Sequence, residues 1–204
     1  MLAWMPKFIP VIIVLLFANH LFAQPLPCSS PYQGQQLTLK QLQPILQAHQ
    51  QWLNSARKLT SGRAILCDTN LTKLNLSNQN FSYSDLVGSD LSLANFNNTD
   101  FSYAELQLAY FRWSQLKGGN FFHANLNQAN FENAQLAQAD LRQADLTHAD
   151  LANADLTRAQ LIGANLTGAN LTDANLQSAN LSWVNLSNAN LSGANLQNAN
   201  SHKA

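Results

Sequence analysis

The stretch ADLRQADLTHADLANADL, residues 139–156, decides the fold. Leucine returns at 141, 146, 151 and 156; an Asp precedes each, and an Ala sits two before it. A step of five does not suit an α-helix: at about 100° per residue it precesses around the axis and leaves no single apolar face. It does not suit a flat strand of period two either. Residues two apart on an extended chain point the same way, so each Ala and the following Leu face one side and the Asp between them faces the other. The two remaining residues must turn the chain before the next Ala. A chain that repeats this winds into a tube, with Leu inside and Ala where backbones approach closely. One unit cannot bury its inner face alone, but stacked coils bury a continuous core.

The pattern extends far beyond this stretch. Every fifth residue from Leu71 to Leu196 is Leu or Phe, giving 26 centres, of which 20 are Leu and six are Phe (81, 96, 101, 111, 121 and 131). Leu66, with Ala64 before it, is in phase as well. Two before the centre stands Ala in 17 of the 26 cases, and the remainder are mostly small. The motif A(D/N)LXX over residues 64–200 resembles the pentapeptide-repeat family. That resemblance implies an all-β solenoid: a right-handed quadrilateral (four-sided) β-helix with one pentapeptide per side. Four sides make 20 residues per coil, hence about six to seven coils and roughly 30 Å of length at about 4.8 Å per layer. Residues 20 apart then stack. Phe81, Phe101 and Phe121 are expected in one interior column, and Phe111 and Phe131 on the opposite side. Outside, the pairs Asn165/Asn185, Asn170/Asn190 and Asn175/Asn195 are expected to form amide ladders.

The 204 residues carry no formal net charge, and 11% are charged, which argues against a nucleic-acid-binding surface. Residues 1–23 read as a secretory signal. Lys7 precedes the apolar run 8–18, and Ala23 ends the segment before QPLP. Cleavage after Ala23 would place the protein in the periplasm or outside the cell. The alternative is an uncleaved membrane anchor over 8–23, for which the run is short and contains Pro10. In an oxidising compartment the two cysteines, Cys28 and Cys67, are expected to pair. The bridge would close a loop of about 40 residues, worth about 3–4 kcal/mol by the chain-entropy model.

Residues 24–63 form an N-terminal segment with a capping helix at about 38–58. Thr38 can cap it, and Leu39, Leu42, Ile45, Leu46, His49, Trp52 and Leu53 share one face. The stretch ILQAHQQWLNSARKLTSGRAIL (45–66) also resembles a segment found ahead of the repeats in many bacterial pentapeptide proteins. His49 and Trp52 are its recognisable residues, read here as packing residues of a lid over the first coil. No such lid follows Leu196. The last coil is expected to be open, with 201–204 as a tail, and the resemblance implies a homodimer through this C-terminal end.

Nothing in the sequence assembles catalysis. His20, His49, His123, His148 and His202 have no Cys or His partner at metal-ligand spacing, and no phosphate-binding glycine loop or nucleophile elbow is present. No enzyme activity, metal or cofactor is expected. Asp140, Asp145, Asp150 and Asp155 ring one coil, and some members of the resembled family mimic DNA and block DNA gyrase. Residues 64–200, however, hold 11 acidic and five basic residues, a net of about −6, where a DNA rod of that length carries roughly 18 negative charges. The better surface feature is aromatic. Tyr83, Tyr103, His123 and Trp183 fall on one corner at 20-residue spacing, with Phe122, Arg142 and Ile162 one position before the corner. Such a face suits a protein or glycan partner. Trp113 and Leu93 form a smaller pair on the opposite side. The expected function is an exported, non-catalytic scaffold or binding rod; inhibition of a DNA-binding enzyme is the alternative.

Overall fold

The computed structural model describes residues 28–204. The expected signal segment lies outside them. From Ile65 onward each residue of an outer ladder bridges in parallel to the residue 20 further on: Ile65 to Asp85, Asn70 to Asp90, Asn75 to Asn95 and Asn80 to Asp100 start the four sides. Each side stacks seven such residues, ending at Asn185, Asn190, Asn195 and Asn200. The sides are numbered 1 to 4 in that order. Two backbone bonds tie each side to the next coil. On side 1 the Leu66 amide donates to the Asp85 carbonyl at 2.7 Å, and the Asp85 amide donates to the Ala64 carbonyl at 2.9 Å.

The corners explain the step of five. Every corner residue from Asp68 to Lys203, two after each centre, has φ between +52° and +74°. At all but two of the corners, Lys73 and Leu93, the amide after the corner donates back to the centre carbonyl, as Ala104 does to Phe101 at 3.1 Å. A left-handed third residue closed by that bond is a type II turn. Non-glycine residues occupy 23 of these 28 corners, and none of them is β-branched. Left-handed backbone costs an L-residue roughly 1 kcal/mol, and a β-branched one more. Thr, Val and Ile stand instead at the preceding position, as at Thr72, Val87, Thr147 and Ile162.

The Asn or Asp before each centre does more than face solvent. Its Oδ1 accepts the amide two residues on, which the ladder leaves unpaired. Thr72 donates to Asn70 at 3.0 Å, Ser102 to Asp100 at 2.9 Å and Ala152 to Asp150 at 3.1 Å. The expected amide ladders are incomplete. Asn195 donates to Asn175 at 3.1 Å, but Asn190 reaches the Thr172 hydroxyl rather than Asn170, and no bond joins Asn165 to Asn185 among the described residues. The local bond does not by itself forbid a ladder, since Asn175 Oδ1 accepts both the Gln177 amide and Asn195; Asn190 has a competing hydroxyl acceptor at 2.9 Å.

Inside, the six repeat phenylalanines are fully buried. Phe81, Phe101 and Phe121 stack with centroids 5.4 and 5.1 Å apart, and Phe111 stacks on Phe131 at 4.7 Å. Edge-to-face contacts such as Phe111–Phe121 at 6.0 Å join the two columns across the core. From Leu136 down, the core is Leu and Ala apart from Val184.

The first coil is covered. Helix α1, Leu39–Asn54, starts with a capping box between Thr38 and Gln41 and accommodates Pro44. It ends before the expected residue 58 because Ala56 and Arg57 are left-handed. The segment before it adds to side 2 through a Gln36–Asn70 bridge, and Cys28 pairs with Cys67. Gly62 turns the chain into the first coil at φ +106°, where a Cβ would meet the Ala48 carbonyl oxygen at 3.0 Å. Among the described residues nothing packs over the last coil: Leu186 and Leu191 are partly exposed, and Leu196 is 43% exposed. Residues 201–204, expected as a tail, instead complete its final corner, with the Trp183 amide donating to the His202 carbonyl at 2.9 Å.

Candidate binding faces

The corner between sides 4 and 1 carries the aromatic residues that the 20-residue spacing selects. Tyr83 and Tyr103 lie flat on each other, 4.8 Å apart and 5° from parallel, and His123 continues the stack at 5.3 Å. Phe122 packs its edge against Tyr103 at 5.7 Å. Cations close the strip: the Arg57 guanidinium sits 4.2 Å over Tyr83, and Arg142 lies 5.4 Å from Phe122. Arg142 also grips Asp140 through two side-chain bonds of 2.8 and 2.6 Å. Burial pushes the Asp140 carboxyl upward, but the bonds from Arg142 outweigh it and hold the group below its ordinary value. The ring faces in this strip are spent on one another, so a partner meets mainly edges, hydroxyls and the exposed flank of Tyr103.

Trp183 belongs to a separate cluster. Gln143 and Gly163 intervene on its corner, and Ile162 is half-buried between the two groups. Trp183 is 56% exposed and receives Lys203 at 4.0 Å over its ring and His202 against its edge. The expected face thus divides into an upper self-stacked strip and a lower exposed tryptophan.

Side 2 carries a patch that the sequence reading located only in part. Leu93 and Trp113 stack on the corner to side 3, and Leu108 and Tyr110 extend the patch across side 2. All four are 42–56% exposed. No aromatic stack or cation–π contact involves Trp113 among the described residues. The signal for Tyr110 was present: it alone breaks the run of Asn, Asp, Gln and Glu before the centres from 70 to 200.

The carboxylates of the Asp140–Asp155 ring are separated along their columns, whereas Asp85 and Glu105 stack directly on side 1. Asp140 stacks between Asn120 and Gln160, Asp145 between Asn125 and Asn165, Asp150 between Asn130 and Asn170, and Asp155 between Gln135 and Asn175. Each ring member therefore has amide neighbours above and below. No group of three or more metal-ligating side chains occurs among the described residues. Two clefts of about 380 and 410 Å³ lie against the cap. The smaller of the two is lined by Pro31, Tyr32, Pro44, Ile45, Ala48, Gly62, Arg63 and Ile65, and brings no nucleophile beside a base.

No curated protein matches the chain. Among solved structures it is similar to HetL of the cyanobacterium Nostoc sp. strain PCC 7120, a pentapeptide-repeat protein involved in heterocyst differentiation regulation. Identity is 24% over 80% of this chain and 94% of that one, with a TM-score of 0.34. It is also similar to Rfr23 of the cyanobacterium Cyanothece 51142, at 28% identity over 72% and 97% of the two chains and a TM-score of 0.33. QnrB1, a plasmid-mediated fluoroquinolone resistance protein, matches at 21% identity over 70% and 79%, with a TM-score of 0.40. The model of pentapeptide repeats matches eight overlapping copies from residue 63 to residue 204, so the chain belongs to the pentapeptide-repeat family.

Proposed function

We propose that this protein is an exported, non-catalytic binding rod that presents side-chain patches on a rigid four-sided frame to a protein partner. The observation that carries the reading is the contrast between interior and surface. The interior is filled without a cavity-borne reactive set, while large aromatic side chains are held at fixed spacing outside. Aromatic anchors on a preorganised surface bind with little ordering cost. The Cys28–Cys67 pair and the signal-like residues 1–23 support an oxidising, extracytoplasmic location. The separated carboxylates of the Asp140–Asp155 ring speak against DNA mimicry.

Cross-linking in whole cells with the full chain tests this, comparing the native protein with a Tyr110→Ala, Trp113→Ala double variant and a Tyr103→Ala, Trp183→Ala double variant. Partners captured outside the cytoplasm and lost in at least one variant are expected. Capture of the same proteins by all three forms, or recovery of an uncleaved chain in the cytoplasm, would sink the reading. The open last coil supports a second element of the proposal, a homodimer through Leu186, Leu191 and Leu196. Light scattering should give twice the chain mass for the native protein and the monomer mass for Leu191→Asp.

A further inference from the structure

The first coil lacks a coil above it, and its upper edge exposes backbone groups that every later coil satisfies. At the corner between sides 4 and 1, the amides of Ser84, Ala104 and Ala124 donate to the carbonyls of Phe81, Phe101 and Phe121 at 2.9–3.1 Å. The carbonyls of Ser102, Phe122 and Arg142 accept the corner amides of Tyr83, Tyr103 and His123 from the coil above. At the first coil the corresponding groups are the Ala64 amide and the Ser82 carbonyl, and neither has a backbone partner among the described residues. One side chain fills both vacancies. His49 of α1, fully buried, donates from Nε2 to the Ser82 carbonyl at 3.0 Å and accepts the Ala64 amide on Nδ1 at 3.1 Å. The imidazole thus replaces a missing turn, and it does so only in the neutral form, because a protonated ring has no acceptor.

We infer that His49 is a proton-operated latch: protonation of its ring releases α1 from the first coil, while the Cys28–Cys67 bridge retains the segment before it. The lid is built to move. Of its 16 residues only Leu42 and His49 are buried. On its far side the chain turns through left-handed Ala56 and Arg57 and through Gly62. The charged groups around the ring set how far the pH must fall: Arg63, entering the first coil, disfavours protonation of the ring, and the Arg57–Tyr83 contact adds a second tie between the end of α1 and the first coil. Lys40, the cation of α1 itself, is more than two turns away, and Trp52 stacks at 5.6 Å. Burial, and secondarily Arg63 against the bond to Ser82, holds the His49 pKa below its ordinary value. The sign follows from linkage. The latch is at full strength above the unfolded histidine value of about 6.5 and weakens as pH falls below it towards the lowered folded value.

Hydrogen exchange of the full, disulfide-bonded chain from pH 7.5 to 5.5 tests this. Protection of the Ala64 amide is read against that of Ala144, which occupies the same corner four coils below and cancels the intrinsic pH dependence. The ratio is expected to fall about fivefold between pH 6.5 and 5.5, and to stay flat in His49→Gln, whose amide donates and accepts without titrating. A flat ratio in the native protein overturns the latch. The native series decides the matter even where the variant fails to seat its helix. A His49 ring resonance that titrates at or above 6.5 while Ala64 stays protected also overturns it.

Discussion

Replacing Phe111 with Leu asks whether the aromatic upper core is a specific packing solution or an interchangeable filling. Phe111 is fully buried, lies flat on Phe131 and meets Phe101 and Phe121 edge-on at 5.8 and 6.0 Å. Leucine is the residue this column uses at 91 and 151, so the change is compatible with the fold. The loss has two parts. The smaller side chain forfeits roughly 1 kcal/mol of apolar burial. One stacked and several edge-on aromatic contacts go with it, and such a pair is worth about 0.5–1.5 kcal/mol beyond area. The expected cost of Phe111→Leu is about 2–3 kcal/mol, and of Phe111→Ala about 4 kcal/mol. Because each coil touches only its neighbours, the damage should concentrate in the coil of Phe111 and the coils on either side. Guanidinium unfolding followed by circular dichroism gives the total, and hydrogen exchange gives its location. A Phe111→Leu protein within about 0.5 kcal/mol of the native one would refute the stacking account.

Ser84 Oγ is buried without a partner, whereas Ser89 and Ser114 bond the carbonyls of Leu86 and Phe111. Ser84→Ala should therefore stabilise by about 1 kcal/mol while Ser114→Ala should not, as thermal melts will show. At the exposed left-handed corner Asn153, φ +58°, a change to Val should cost about 1–2 kcal/mol and a change to Gly almost nothing; equal melting temperatures would remove the turn argument. Asn130→Asp with Asn170→Asp would stack three carboxylates around Asp150 and replace the 2.9 Å bond from Asn170. Their mutual repulsion raises the folded carboxyl values, so the double variant should be weaker at pH 7 and recover as pH falls through that raised range; a pH-independent deficit would contradict it. Reducing the Cys28–Cys67 pair should cost about 4 kcal/mol on the chain-entropy model, with protection lost in 28–37 and the first coil and retained from the third coil on.

The period of five and its stacking by 20 were legible because both come from a strict inner alphabet. Ala, a polar residue and Leu are dictated by close backbone approach, outward direction and core volume, and these demands recur on every side. The stack of Phe81, Phe101 and Phe121 follows by counting. The bond from Asn70 to the Thr72 amide does not follow from counting. A polar residue before the centre fits solvent exposure and turn-capping equally well, and only the backbone direction at the corner separates them. His49 is buried under the lid, as a packing residue is, but its hydrogen bonds do not follow from the sequence for a related reason. On the helix it shares a face with Leu42, Ile45 and Leu46 and reads as packing, but its role is set by two backbone groups 15 and 33 residues further along the chain.

The surface can be divided by the same reasoning. Where the residue before a centre is Asn or Asp it is bound to its own turn, and stacking places it about 4.8 Å from its equivalents above and below. Like charges at that spacing repel by roughly 1 kcal/mol even when screened by water, and amides flank every member of the Asp140–Asp155 ring. This position therefore serves the frame, and a dense acidic column would work against it. The two corner positions carry weaker demands: no β-branched residue at the left-handed site, and little else. Individual character can accumulate there, and it does, in the Tyr83–His123 strip, in Trp183, and in Leu93, Leu108 and Trp113. Tyr110 is the exception that sharpens the rule. It is the one aromatic residue at a frame position from 70 to 200; like Glu105, Gln115, Gln135 and Gln160, it accepts no bond from the amide two residues on among the described residues. Its neighbours in the column are Asp90 and Asn130, and around it stand Leu108 and Trp113. An aromatic side chain that enlarges an exposed apolar patch from a position otherwise filled by Asn, Asp, Gln or Glu is where a partner should be sought first.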